Sequence, residues 1–423
     1  MKITNYCLII LSVLFVAGVP DCLSAQDAAP KVVAAASLKG KILCGYQGWF
    51  RCPGDASGMG WIHWSRDSRR ITPRSLTFEM WPDLTGFTAS ERFAAPGFTD
   101  PDGQQAELFS SDHPSTVLRH FEWMRDYGID GVWLQHFVVD LPGGPSQDRF
   151  ASRVRVLDHV RKAASQTGRA WAITFDVSGM PRDRIFETLT REWRRLVESG
   201  VTSDPRYIHQ DGKPVVQVWG YYHGKGDDRI SPELANRLTD FFREPDHAAY
   251  LVGGGDWNWR RHAEPDFKAA LGRLDGFAPW NVGNYARDAK GNRHATTSYW
   301  QADKEECERN GKLWLPVVYP GFAWTNLKGP AGSNATIPRD KGRFLWEQFH
   351  ELARLGADSV FVAMFDEVDE GTAIFKVTNS PPTQAHFEGY EGMPSDWYLR
   401  LVGEGGRMLR KERPISAEIP IGP

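Results

Sequence analysis

Cysteine is scarce in this chain, five residues in 423, and two of the five, Cys7 and Cys22, precede position 26. Cys44, Cys52 and Cys307 remain, an odd set that permits one bridge and leaves one thiol. Cys44 sits in an apolar run and reads as a small buried hydrophobe, although a Cys44–Cys52 bridge stays open. No Cys/His spacing of a metal site and no H-E-x-x-H occurs, nor a G-x-S-x-G elbow. The usual metal and serine-hydrolase chemistries lack their residues, and neither a metal nor a cofactor is expected. Asp100-Pro101-Asp102-Gly103 starts like a calcium loop, but the later ligands are missing and it reads as a turn. Charge of one sign is lacking too: 50 Lys and Arg against 53 Asp and Glu leave −3. With no dense Lys/Arg run, there is no electrostatic footprint for nucleic acid. Beyond the N-terminus no segment reaches the roughly 18 apolar residues of a membrane span.

The first residues carry an address. Lys2 supplies positive charge, Cys7–Val19 is apolar, and Leu23-Ser24-Ala25 offers a small-residue cleavage site before Gln26. That is the pattern of a secretory signal peptide, residues 1–25, with an apolar run too short to span. Asp21 ahead of Cys22 fits a lipobox poorly, so a lipid anchor is not expected. The mature chain, 26–423, should be secreted or periplasmic and form a single domain. Its surplus is aromatic: 17 Trp, 12 Tyr and 23 Phe. The indole N–H wants a partner when buried. Surplus Trp in an exported chain suggests flat faces for sugar rings, and a Trp-rich core fits equally well.

Short apolar runs alternate with amphipathic stretches. Strands are expected at Lys41–Tyr46, Gly131–Phe137, Ala170–Val177, Pro214–Tyr221, Tyr250–Gly253, Gly276–Trp280, Leu313–Tyr319 and Ser359–Phe365. Helices are expected at Thr116–Tyr127, Arg149–Ser165, Asp183–Glu198, Pro232–Arg243, Asp266–Leu274, Ser298–Asn310, Asp340–Leu355 and Asp396–Leu409. Eight such alternations read as a single (β/α)₈ TIM barrel, an α/β fold. An open doubly wound sheet fits less well, because no strand precedes a G-x-G-x-x-G turn. The Gly253-Gly254-Gly255 run has the wrong spacing for one. The first connection, Gln47 to Ser115, is anomalously long, as functional loops often are. It carries Trp61–Trp64 and Phe78–Asp83, and Trp61, Trp64 and Trp81 are candidates for a sugar platform.

Barrel enzymes draw their site residues from the C-terminal strand ends. Here those ends supply Tyr46, Gln47 and Trp49, then Gln135 and His136, then Asp176. The fourth gives Trp219, Tyr221, Tyr222 and His223. Asp256, Trp280 and Tyr319 follow, with Trp324 beyond, and the eighth end gives Asp366. All of these except Tyr222 and Trp324, together with Trp81, are the candidate substrate contacts, and the expected partner is an oligosaccharide or polysaccharide. The eighth strand also runs straight into acid: Asp366, Glu367, Asp369 and Glu370 place four carboxylates in five residues. Glycosidic hydrolysis needs an acid on the leaving oxygen and a second carboxyl group. Neighbouring carboxyls raise one another's pKa, which keeps one protonated for acid work. Glu367 and Glu370 would face apart in a straight strand, but Gly371 favours a turn in which they converge.

The stretch Phe365–Ile374, "FDEVDEGTAI", resembles the "F-N/D-E-x-x-E-G-T-x-I" segment of glycoside hydrolase family 99. Gly45–Phe50, His120–Gln135, Glu79–Asp83 and His209–Gly220 are similar to bacterial exported proteins called glycoside hydrolase family 71/99-like. The resemblance implies a (β/α)₈ enzyme on an α-linked, mannan-like glycan. It implies a retaining route in which Glu367 is the base on the sugar's own 2-hydroxyl and Glu370 is acid and then base. Asp366 and Asp369 are placed to polarise or orient that pair. An inverting α-glucanase of the family 71 kind and a barrel that binds glycan without cleaving it are the alternatives. The chain departs from the family's pattern at Val368 (Trp in the family), Ala373 (Gln) and Phe375 (Glu).

Overall fold

The computed structural model describes residues 32–222, 229–261, 264–329 and 336–423. The N-terminal 1–25 segment, His223 and Asn334 of the Asn334-Ala335-Thr336 sequon lie outside the described residues.

Six parallel strands run in chain order: Ile42–Tyr46, Gly131–Phe137, Ala170–Asp176, Lys213–Tyr221, Tyr250–Asp256 and Gly276–Trp280. Each pairs with the next. The first also pairs with the eighth, Val360–Val362. The seventh comes in two pieces: Leu313–Trp314 pairs with the sixth strand and Val317–Val318 with the eighth. Together they complete the expected (β/α)₈ barrel. The continuous seventh strand expected over Leu313–Tyr319 is broken because Pro316 has no N–H for the ladder. Its carbonyl still accepts from the Phe361 N–H at 2.9 Å.

A main helix follows each strand: Pro114–Asp126, Phe150–Thr167, Arg182–Glu198, Pro232–Phe241, Pro265–Leu271, Trp300–Arg309, Arg343–Leu355 and Trp397–Leu409, with a short extra helix, Thr325–Lys328, ahead of the seventh. These are the expected eight, with ends displaced by a few residues. Proline opens three of them, where a missing N–H costs nothing.

Strand alternation divides each strand between two environments. Tyr46 faces the helices, its hydroxyl 2.9 Å from His120 Nδ1. Gly45 faces the barrel axis, where a Cβ would lie 2.2 Å from Met364. Gly254 is likewise interior; a Cβ there would press to 3.0 Å from the Trp219 ring on the neighbouring strand. Within the triple glycine, Gly254 makes room for an indole, while Gly253 makes room for Leu274 and Gly255 for the Tyr221 backbone.

The long first connection folds on itself. It contains an antiparallel hairpin, Arg92–Thr99 with Gln105–Phe109, which the sequence did not show because Pro96-Gly97 interrupts the first arm. Asp100–Gly103 is its turn, as expected: the Gly103 N–H donates to Asp100 O at 2.9 Å. Trp61, Trp64 and Trp81 do not form the expected platform; all three are buried. Trp81 packs within 5.5 Å of the rings of Phe78, Phe98 and Phe387. Its N–H donates to Glu107 O at 3.2 Å. The loop's aromatic residues join the main core, through Phe387 of the C-terminal segment and through His120, Trp123 and Phe375. Trp81→Ala should accordingly cost about 3–5 kcal/mol of stability. Denaturant titration of the variant against wild type would show the loss.

Candidate active site

After Val362 the chain leaves the barrel and coils back. The Met364 N–H donates to Thr372 O at 3.2 Å, and the Thr372 and Ala373 N–H groups both reach Glu367 O at 3.1 Å. Gly371 takes a left-handed φ of +62° to allow this return. A turn is what the Glu-x-x-Glu-Gly spacing required, and it brings Glu367 and Glu370 to one cleft of about 640 Å³. Glu367 Oε1 accepts from Gln47 Nε2 at 2.8 Å, and its Oε2 from the Thr372 hydroxyl at 3.1 Å. Asp366 accepts the Gln47 and Gly48 backbone N–H groups at 2.8 and 2.9 Å. It thereby ties the exit of the first strand to that of the eighth. Arg153 completes the clasp, donating to Gln47 O at 3.0 Å and to Asp140 at 2.7 Å.

The electrostatics favour protons. Burial, then the charges of Glu370 and Asp369, push Glu367 well above the carboxylate range, against the Thr372 hydrogen bond. Burial also raises Glu370; the Trp324 indole and Lys328 pull the other way and Asp176 adds to the rise. Burial lifts Asp366 to about 6, despite its two backbone donors. Outside the cleft, burial lifts Glu79 to about 7 although Leu327 and Asn326 donate to it. A carboxyl that binds its proton more tightly when folded stabilises the fold fully below its unfolded pKa. That contribution is lost as pH rises through the folded value. The unfolding temperature should therefore fall between the ordinary carboxyl range and about pH 7. Glu79→Gln, whose amide oxygen can still accept the Asn326 and Leu327 N–H groups, should flatten the upper part of that slope in a calorimetric pH series.

The cleft gathers most of the expected contacts. Gln47, Trp49, Gln135, Asp176, Trp219 and Trp280 line it with the two glutamates. Other expected contacts lie elsewhere, for reasons of strand parity. His136 points away from the axis, buried, with Nε2 2.9 Å from Glu192. Burial opposes ionisation of Glu192, but Arg195 and His136 outweigh it and hold it at about 2. Tyr46 is fully buried against the helices. Tyr221 shares the parity of Trp219, yet it is fully buried away from the cleft. A register shift between Trp219 and Tyr221, with Gly220 at φ +138°, reverses the alternation. Tyr222 is the residue that packs beside the cleft wall, its ring 4.8 Å from Trp219. Burial, then Asp256 and Asp176, raise its phenol. Asp256 is half-buried at the fifth strand's end. Tyr319 is spent on structure, its hydroxyl donating to Asn284 O at 2.8 Å.

Thr174, Ser178, Gln217, Tyr285, Phe322 and Trp324 also line the cleft. Thr174 and Gln217 could have been found by stepping back two residues from Asp176 and Trp219. Their side chains meet in the floor, the Thr174 hydroxyl donating to Gln217 at 2.8 Å. Tyr285 has no such signal: it rides on a hairpin, Tyr285–Arg287 with Arg293–Ala295, in the sixth connection. The three departures from the family pattern, Val368, Ala373 and Phe375, are all buried and none lines the cleft. Phe375 packs beside Phe109, His120 and Phe365.

A family model for glycosyl hydrolase family 99 matches residues 103–411, well over half of the chain. The chain belongs to family 99. Its fold is similar to that of the family 99 endo-α-mannosidase of Bacteroides thetaiotaomicron, solved with bis-tris propane. The TM-score is 0.65 at 17% identity, covering 89% of this chain and 99% of that one. The glycoprotein endo-α-1,2-mannosidase-like protein of Danio rerio is 25% identical over 114 residues, 27% of this chain and 26% of the relative. The Xenopus laevis glycoprotein endo-α-1,2-mannosidase is 25% identical over 142 residues, 34% and 30% of the two chains. The match thus spans less than a third of these two relatives' own length.

Proposed function

We propose that this chain is an exported glycoside hydrolase that cleaves an α-linked, mannan-like glycan with retention of anomeric configuration. The observation that carries the reading is the convergence of Glu367 and Glu370 on one aromatic-walled cleft. Glu367, oriented by Gln47 and Thr372, takes the proton of the sugar's 2-hydroxyl as that oxygen attacks the anomeric carbon. Glu370 gives its proton to the departing glycosidic oxygen, and a 1,2-anhydro sugar forms. Glu370, now ionised, takes a proton from water as the water opens the ring at the anomeric carbon. Glu367 returns its proton to the 2-oxygen, and both groups are restored. Trp219 and Trp280 offer faces for sugar rings. The mannosidase relatives support the choice of sugar.

The test is hydrolysis of α-mannans and α-1,3-glucans followed by NMR from the first turnover. An α product appearing first supports retention. A β product appearing first favours the inverting route, and binding without cleavage favours a glycan-binding barrel. Export predicts that the mature chain begins near Gln26. N-terminal sequencing of protein recovered outside the cytoplasm would check this, and a retained Met1–Ala25 would refute it.

A further inference from the structure

Asp366 and Glu367 have their hydrogen bonds satisfied by the first strand and by Thr372. Asp369, between the two glutamates, is different. It is 3% exposed; its Oδ2 lies 3.2 Å from His63 Nδ1, and its Oδ1 has no hydrogen-bond partner among the described residues. His63 comes from the far side of the sequence, on the long first connection. Its backbone is left-handed at φ +63°, uncommon outside glycine. Its ring lies flat on Trp49, centroids 3.8 Å apart at 5°, and Trp49 lines the cleft. The connection is stitched to the acidic turn again where the Glu79 N–H donates to Val368 O at 2.8 Å. Thr77 holds the His63 carbonyl at 2.6 Å.

The charges around the two partners are opposite in kind. Glu370, Asp366 and Glu79 face Asp369, which also acts on Glu367. Arg153, Arg149 and Arg51 face His63. An acid among acids and a base among cations each resist ionisation. Burial and Glu370 push Asp369 well above the carboxylate range. Burial and the three arginines push His63 well below the imidazole range.

We propose that His63 and Asp369 are a positioning pair that holds one proton between them, so that the acidic turn carries no extra charge beside Glu367 and Glu370. The inference rests on the two-glutamate reading for its catalytic consequence. With Asp369 neutral, Glu367 can ionise as the base without a further like charge to repel it.

His63→Phe keeps an aromatic ring for Trp49 and removes the proton acceptor. Burial and the neighbouring acids still act on Asp369, but the neutral carboxyl loses the hydrogen bond that favoured it; to that extent Asp369 ionises at lower pH, and its charge raises both glutamates. Both limbs of the kcat/KM profile should move to higher pH by roughly one unit. Asp369→Asn replaces a neutral group with a neutral one, so its limbs should stay at the wild-type positions. The double variant should return there as well. A His63→Phe enzyme that loses activity with unmoved limbs would reduce the pair to a structural contact. Limbs that move down in Asp369→Asn would mean that Asp369 is charged, and would overturn the proposal. A second measurement needs neither turnover nor a foldable His63 variant. The infrared difference spectrum of wild type minus Asp369→Asn at neutral pH should show a protonated carboxyl band. Its absence would refute the pair even if the chain hydrolyses glycan, and its presence would support it even if no glycan in the panel is cleaved.

Discussion

Replacing Glu370 with Gln should lower hydrolysis of an unactivated α-linked glycan by at least about 10²-fold, the usual scale for a positioned acid or base. The fold should survive, because amide and carboxyl are nearly isosteric and Glu370's chain position is held by its own backbone: its carbonyl accepts the Ala323 N–H at 2.9 Å. The signature lies in the leaving group. If Glu370 is the acid, a poor leaving group needs its proton, whereas an aryl group of low pKa departs without it. Aryl glycosides of graded leaving-group pKa should therefore show a steep dependence in the variant and a shallow one in the wild type. Equal loss across the series would remove Glu370 from the acid role. Glycan affinity measured by calorimetry should remain, since the aromatic wall is untouched.

Glu367→Gln should lose turnover on the same scale, but a good leaving group should not restore it. The 2-hydroxyl still has to lose its proton as it attacks, and the amide cannot take it. The amide can also turn its NH₂ toward the Gln47 amide or the Thr372 hydroxyl, the groups that now hold the carboxylate at 2.8 and 3.1 Å. A modest fall in stability alongside the kinetic loss is expected for that reason. A 2-deoxy substrate should resist the wild-type enzyme, and rapid cleavage of it would exclude attack by the 2-oxygen. That result would leave the two-carboxylate assignment standing and shift the mechanism to a different nucleophile.

Much of the architecture was readable because it is written in local chemistry. Alternating apolar runs and helix caps marked eight strand–helix units. The acidic run behind Val360–Phe365 marked the end at which the site would lie. Family 99 motifs named Glu367 and Glu370 directly. What failed was the assignment of single side chains within a strand end. Gln135 and His136 are neighbours of equal appeal, yet one lines the cleft and the other bonds Glu192 behind it. Parity decides between them, and parity depends on register, which the sequence states only where both faces differ in polarity. These strands are buried on both faces, so that signal is absent. At Tyr221 even correct parity fails, because one shift of the ladder at Gly220 exchanges it for Tyr222.

The long first connection shows the same boundary from the other side. Its composition announced aromatic residues but not their use, since an indole buried on three rings and one that meets a sugar look alike in sequence. Only packing showed that Trp81 is buried between its own loop and Phe387 of the C-terminal segment while Trp49 lines the cleft. The sequence by itself determined the barrel and the family, and it placed Glu367 and Glu370 side by side in one acidic run, because periodicity, caps and a contiguous motif are short-range properties. Tertiary structure alone decided which residues share the cleft and that His63 meets Asp369. Those partners are far apart along the chain, and only the closing of the barrel brings them within hydrogen-bonding distance.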